Sequence, residues 1–384
     1  MTDSLRLGRI AGVRVGVNWS LVLMVGLLAV GLADNRLQVD APGYATAAYW
    51  AVAILTSVSL LAGVLLHELG HAMVARHHGL AVDGITLWFM GGVTRIEGEP
   101  ATPGAEARVS GVGPVVSLAV GGLAWLARFG LAHLAGHALA LSALGWLALI
   151  NVALAVFNLL PASPLDGGRI LHSAVWAVTG DRLRASRLAS QAGVALAALL
   201  AVAGALSLRR AGGGLDAGLF FVLAWFTYVS ARAEGRHAEA SHLLDGVTVA
   251  DLMRPVAAAP GWWTARALVG GFAGDPRSVL MLEEWTGGFG GVVAVETLAA
   301  LSPADRSRTR GNDVAVPISA TRGASPGDNA LEALAGQPGC LAVLAIDRDR
   351  TVGAVLTADV ESWVRQGRRP PPHRLQPAAG AGVS

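Results

Sequence analysis

Six stretches within the first 231 residues carry no Asp, Glu, Lys or Arg, and they limit the possible folds more than any other feature. They are Val15–Ala33, Ala41–Leu66, Val109–Ala127, Phe129–Leu165, Leu188–Leu208 and Ala217–Ala231. A helix needs about 20 mostly apolar residues to cross a bilayer. The first five stretches have that length, the fourth with a helix starting near Ala138. The sixth has only 15 residues but holds Phe220, Phe221, Trp225, Phe226 and Tyr228. A single apolar run can be a core helix of a soluble protein; six in succession weigh against that. The expected architecture is an α-helical polytopic membrane protein with six transmembrane helices, residues 1–236. Charged residues make up 15% of the chain, below the roughly 25% of soluble domains. They return after Ala231, so the remainder reads as a soluble appendage.

All 29 basic residues are arginine, balanced by 27 acidic ones. No basic run or face forms, so nucleic acid is not an expected partner. Cys340 is the single cysteine, which excludes an intrachain disulfide framework and fits a reducing cytosol. Arginines set the orientation expected in the bilayer. Arg6, Arg9, Arg14, Arg76, Arg95, Arg108, Arg169, Arg182, Arg184, Arg187, Arg232 and Arg236 share one side if both termini are cytoplasmic. Arg36, Arg128, Arg209 and Arg210 dissent. The balance places both termini inside, in a cell membrane. The N-terminal arginines before an apolar stretch resemble a signal peptide, but no convincing cleavage site follows, so the first helix reads as retained.

Near the inner end of the second stretch stands His67-Glu68-Leu69-Gly70-His71, the pattern H-E-x-x-H. Residues four apart share a helix face, so both imidazoles can address one metal. Glu68 lies about 100° round from His67 and can reach a water there. Zinc lowers the pKa of such a water towards ~7, within reach of a carboxylate base. Ionisable groups inside a span are costly and usually functional. A zinc hydrolase commonly uses three protein ligands. After the fourth stretch come Asn158, Pro161, Pro164, Asp166, Gly167 and Gly168. With six spans, the inner ends of the second and fourth share a side of the membrane, which brings Asp166 near His67 and His71. The prolines break the helix and the glycines relax it, allowing the carboxylate to turn inward. An ordinary Asp-Gly turn is the alternative.

The two motifs, about 90 residues apart, together resemble the site-2 protease family of intramembrane zinc metalloproteases. The resemblance implies one zinc held by His67, His71 and Asp166, with Glu68 as general base. It implies cleavage of membrane-spanning substrates within or near the bilayer, in regulated intramembrane proteolysis, with an anti-sigma factor as one candidate substrate. Ile85 to Ile96, with Gly91 and Gly92, looks like the family's short re-entrant β-hairpin, whose edge can pair with an unwound substrate. Asn151 and Asn158, seven residues apart, are expected to face the interior, and Asn158 is a candidate for binding substrate backbone or an oxyanion, or for an interhelical hydrogen bond. Gly113-Pro114-Val115-Val116-Ser117 resembles the family's Gly-Pro-x-x-Asn segment, and packing alone is its favoured role here. Among the other histidines, His172 alone is a candidate supporting residue. The rival readings are a membrane zinc transporter, which would show further ligands and no base, and a catalytically inactive membrane regulator.

Residues 245–365 resemble a CBS domain pair. Thr248 to Pro255 looks like the start of such a domain, and Gly291–Leu298 aligns with Gly353–Val360, 62 residues later. Two β-α-β-β-α repeats are expected. The resemblance implies an adenosine nucleotide site, with Thr357 and Asp359 as contacts; dimerisation of two chains or docking is the alternative. Residues 366–384 are rich in Pro, Gly and Ala and are expected to be disordered.

Overall fold

The computed structural model describes residues 4–89, 91–133, 137–209, 214–274, 277–335, 340–348 and 350–366. It divides into two compact units, Met1–Gly235 and Arg236–Ser384. Apart from Gln366, the tail expected to be disordered lies outside the described residues.

The first unit opens with strands, not a helix. Strand β1 (Ser4–Ile10) pairs antiparallel with β2 (Val13–Asn18), and β2 continues in parallel to β3 (Ala81–Trp88). Strand β4 (Gly91–Glu97) completes the order β1-β2-β3-β4. The first apolar run therefore starts as a strand, and its helix α1 begins only at Ser20 (Ser20–Asp40). The reason is a period of two: Val13 and Val15 are buried while Arg14 between them is exposed. Val13, Ile85 and Leu87 of this sheet pack on Leu61 and Ala72 of α2 (Thr46–His77). Fully burying a side chain such as Ile85 is worth about 1.5–3 kcal/mol. The sheet is thus pressed against the helix that carries His67, Glu68 and His71.

The other helices are α3 (Pro103–Leu131), α4 (Ala138–Asn158), α5 (Asp166–Thr179), α6 (Arg182–Ser207) and α7 (Gly214–Leu243). Helix α3 starts on a clear signal. The Thr102 hydroxyl caps the Ala105 N–H, Pro103 follows, and Glu106 meets the positive helix end. It then packs against α2, α4 and α5. Glycines let it approach: a Cβ on Gly121 would lie 3.1 Å from the Ala148 carbonyl of α4, and one on Gly70 of α2 would lie 3.1 Å from Val116. Five helices, α1 to α4 and α6, are long and apolar enough to cross a membrane. Helix α7 covers the sixth apolar stretch, runs on into polar sequence, and is not one of those five. Leu23, Leu27, Trp125, Phe129, Leu199 and Trp225 face outward, as lipid contact requires and water does not favour.

The second unit contains the order β-α-β-β-α twice. The first copy is β5 (Val256–Pro260), Ala265–Gly271, β6 (Val279–Glu283), β7 (Phe289–Ala294) and Val295–Ala299, with β8 (Val316–Pro317) added at the sheet edge. The second is β9 (Thr321–Ala324), Ala330–Ala335, β10 (Ala342–Asp347), β11 (Arg350–Leu356) and Thr357–Gln366. Val279, Met281 and Val292 of one copy pack on Ala342, Leu344 and Ala354 of the other. Arg254 ties the copies electrostatically, 3.2 Å from Glu296 and 2.9 Å from Asp359. Burial raises the Asp359 carboxyl above its usual range, against the pull of Arg254. A carboxyl raised in this way favours folding when protonated, and that contribution disappears as pH climbs through its folded-state pKa. Arg254→Ala, leaving two facing carboxylates, should cost about 2 kcal/mol at neutral pH. The deficit should narrow in acid. Hydrogen exchange of the β10 and β11 amides in the full chain measures it.

Candidate metal centre

His67 and His71 lie one turn apart on the buried face of α2. Asp166 opens α5 and comes from a stretch far away in sequence. The structure brings the three together. His67 Nε2 is 3.3 Å from Asp166 Oδ2, His71 Nε2 is 3.4 Å from Asp166 Oδ1, and the three donor atoms all fall within 4.8 Å of one another. Among the described residues no second group of His, Cys, Asp and Glu has this geometry.

The surroundings fix which nitrogen faces inward. His71 Nδ1 is 2.6 Å from the Val109 carbonyl oxygen, which can only accept, so Nδ1 carries the proton. Neutral His71 therefore presents an Nε2 lone pair to Asp166. His67 Nδ1 pairs with Ser117 Oγ at 2.9 Å. The result is two ring nitrogens aimed at a carboxylate whose Oδ2 is buried without a hydrogen-bond partner. Lone pairs converge where a buried charge needs a counterpart. Helix α3 leaves room there: a Cβ on Gly113 would lie 2.3 Å from His71 Nε2 and 2.6 Å from His67 Nε2. Imidazole, imidazole and carboxylate suit zinc, and three protein donors leave a position open. The site fits the ion.

Packing was the role expected of Gly113 to Ser117, yet this segment touches both imidazoles. The signal lay in the spacing: Val109, Gly113 and Ser117 recur every four residues, the same step that separates His67 from His71.

Asp166 is presented by a tightly folded loop. Gly167 and Gly168 have ordinary helical φ, so they serve close approach rather than a left-handed turn. A Cβ on Gly167 would lie 2.3 Å from the Leu160 carbonyl oxygen, and one on Gly168 would lie 2.5 Å from Ser163 N. Ser163 N–H donates to the Ala189 carbonyl of α6 at 3.1 Å, and its hydroxyl donates to the Glu234 carboxylate of α7. The role of α6 and α7 in seating this loop was not visible in sequence, because such contacts leave no local pattern.

Glu68 stands outside the donor cluster, half-buried beside strand β4. Thr94 Oγ1 donates to Glu68 Oε2 at 2.5 Å. Gly91 and Gly92 begin β4, paired with Trp88 and Leu87 of β3. Asn158 ends α4, half-buried, with no side-chain hydrogen bond among the described residues. Asn151 is fully buried, but its amide N–H donates within its own helix, to Leu147 at 2.8 Å, while Oδ1 has no partner. His172 is apart from the cluster and pairs with Glu106 at 2.8 Å. Burial pulls that imidazole down, and the Glu106 carboxylate more than reverses it, leaving the pKa raised. Thr357 donates its hydroxyl to the Cys340 carbonyl at 3.1 Å, and Asp359 is held by Arg254.

Known proteins are similar to this chain. Peptidase family M50 matches residues 55–136 and 130–200. Rip3 of Mycobacterium tuberculosis, which bears the name of a zinc metalloprotease, is 35% identical over 366 residues, covering 94% of this chain and 92% of its own. The chain belongs to peptidase family M50. It is a membrane-embedded zinc metalloprotease of the site-2 type. A Synechocystis protein, sll0528, also bearing a zinc metalloprotease name, is 32% identical and covers 66% of each chain. The solved site-2 protease from Methanocaldococcus jannaschii is 29% identical, with a TM-score of 0.42, covering 61% of this chain and 95% of its own. This membership displaces the transporter reading.

Ser117→Ala should leave His67 Nδ1 unpaired and weaken zinc binding by about 10- to 100-fold. Competition with a zinc chelator of known affinity measures the change.

Proposed function

We propose that the chain hydrolyses peptide bonds of membrane-spanning substrates at a zinc site formed by His67, His71 and Asp166, in regulated intramembrane proteolysis. The observation that carries this reading is the convergence of those three donors, within 4.8 Å, beside a carboxylate that is not one of them. His67 follows 21 residues after Thr46, about 32 Å along α2, close to the roughly 30 Å depth of the hydrocarbon layer. This supports a site near one boundary of the bilayer; the reading counts α7 as a sixth span and puts both termini, with the arginine-rich side, in the cytoplasm.

Zinc, when bound, supplies a Lewis acid that polarises the scissile carbonyl and acidifies water. Glu68 takes the proton of the attacking water and delivers it to the leaving amine nitrogen. His67 and His71 keep their Nε2 atoms directed inward through Ser117 and Val109. Asn158 receives the substrate backbone where the helix ends. A peptide bond inside a helix is shielded by its own hydrogen bonds, so the substrate must first unwind. Strand β4 is the last in its sheet, and pairing along its edge, from Gly91 and Gly92 onward, offers the unwound segment new partners. The hairpin β3–β4 re-enters the membrane face to do so. A single-span regulator such as an anti-sigma factor is a substrate of the right kind.

The second unit acts as a regulatory CBS pair at residues 245–365. A nucleotide reaching Thr357 and Asp359 has to compete with Cys340 and Arg254, so joining two chains is the rival use of this unit. Calorimetric titration of the full chain with adenosine nucleotides separates the two.

Glu68→Gln should retain zinc and lower turnover by at least about 10²-fold. Asp166→Ala should lose zinc, measured as metal per purified chain. Cleavage that survives in the first, or unchanged metal in the second, overturns the assignment. Membrane proteins that accumulate uncleaved with Glu68→Gln identify the substrate.

A further inference from the structure

We propose that Thr94 is the positioning residue of Glu68, so that the strand offered to the substrate also holds the base in place. This rests on the reading of Glu68 as the base, and it assigns a role to a residue outside both sequence motifs.

Thr94 Oγ1 lies 2.5 Å from Glu68 Oε2 and 3.4 Å from the Glu68 carbonyl oxygen. Among the described residues it is the only donor to that carboxylate. One hydroxyl proton engages one carboxylate oxygen, Oε2. The other, Oε1, remains free to accept a proton. Residues two apart on a strand share a face, so Gly92 stands beside Thr94 against the same side chain. A Cβ on Gly92 would lie 2.3 Å from Glu68 Cγ and 2.8 Å from Oε1. Gly92 has no positive φ, so its requirement is space. Thr94 therefore anchors one oxygen, and the bare Gly92 backbone gives the side chain a seat.

This seat does not depend on the contact it makes. Thr94 pairs with Ile85 of β3, and Ile85 is fully buried against α2. The register of β4 is set by that core, and Glu68 is placed by β4 in turn. A bland reading is that Thr94 merely satisfies a half-buried carboxylate. That reading predicts a loss of stability with no specific loss of turnover.

The experiment uses the full chain purified in detergent, with a single-span reporter helix that the wild-type enzyme cleaves. Thr94→Val removes the donor and keeps the shape; Thr94→Ser keeps the donor. Thr94→Val should retain zinc and keep KM within about twofold, while kcat falls about 10- to 100-fold, the scale of a misplaced catalytic group. Thr94→Ser should restore most of kcat. Gly92→Ala, which displaces Glu68 by crowding, should also lower kcat with zinc retained. A readout without turnover is the thermal unfolding of the metal-free protein. Thr94→Val should lower the midpoint in the wild-type background and leave it unchanged when Glu68 is already Ala. Unchanged kcat in Thr94→Val, equal damage from Thr94→Ser, or the same midpoint shift in both backgrounds would overturn the proposal. Failure of Glu68 as the base appears separately, as turnover surviving in Glu68→Gln while the Thr94–Glu68 coupling persists.

Discussion

Two imidazole nitrogens each lie within 3.4 Å of one buried carboxylate, and such a cluster in apolar surroundings calls for positive charge among its members. Much of the first unit can be read as meeting that condition. Helix α2 aligns the two rings. The Val109 carbonyl and the Ser117 hydroxyl turn both rings so that Nε2 faces inward. Gly113 withdraws the α3 backbone, and the loop before α5 delivers the carboxylate from a separate part of the chain. The sheet then brings Thr94 and Gly92 to the neighbouring Glu68. Each of these parts belongs to a different element, so the centre exists only when the helices and the sheet have packed.

Helix packing in such a protein draws little on the hydrophobic effect, because lipid is as apolar as leucine. Close approach does more of the work. Gly70, Gly121 and Gly193 mark the places where backbones come nearest; a Cβ on Gly193 would lie 2.1 Å from the Ser163 carbonyl oxygen. These contacts give the glycines around the centre a packing role. The second unit follows different rules, with interleaved strands and aliphatic cores.

The parts of this protein that were legible in sequence were those with local or periodic signatures. H-E-x-x-H carries its geometry in its spacing, and membrane helices carry theirs in length and apolarity. The repeat in the tail appears as a recurring glycine and valine pattern. Asp166 was reached through topology, since two helix ends had to share one side. Other features left weaker traces. Val13 to Asn18 reads as the start of a helix when only charge is counted, and as a strand once the alternation of Val and Arg is counted instead. Asn151 is buried and its amide bonds within its own helix, a pairing that the sequence does not reveal. Ser163, Glu234 and Thr94 act through contacts between distant segments, and a single sequence holds no period or motif that reveals such meetings.

The histidines ride on α2, whereas the loop bearing Asp166 hangs from Ala189 of α6 and Glu234 of α7. Sliding α6 and α7 past α2 would pull the triad apart, not carry it along as a body. With zinc held by these three residues, its affinity would respond to lateral forces within the membrane. Conditions that loosen helix association, such as harsh detergent extraction, would deplete the ion before the helices themselves unwind.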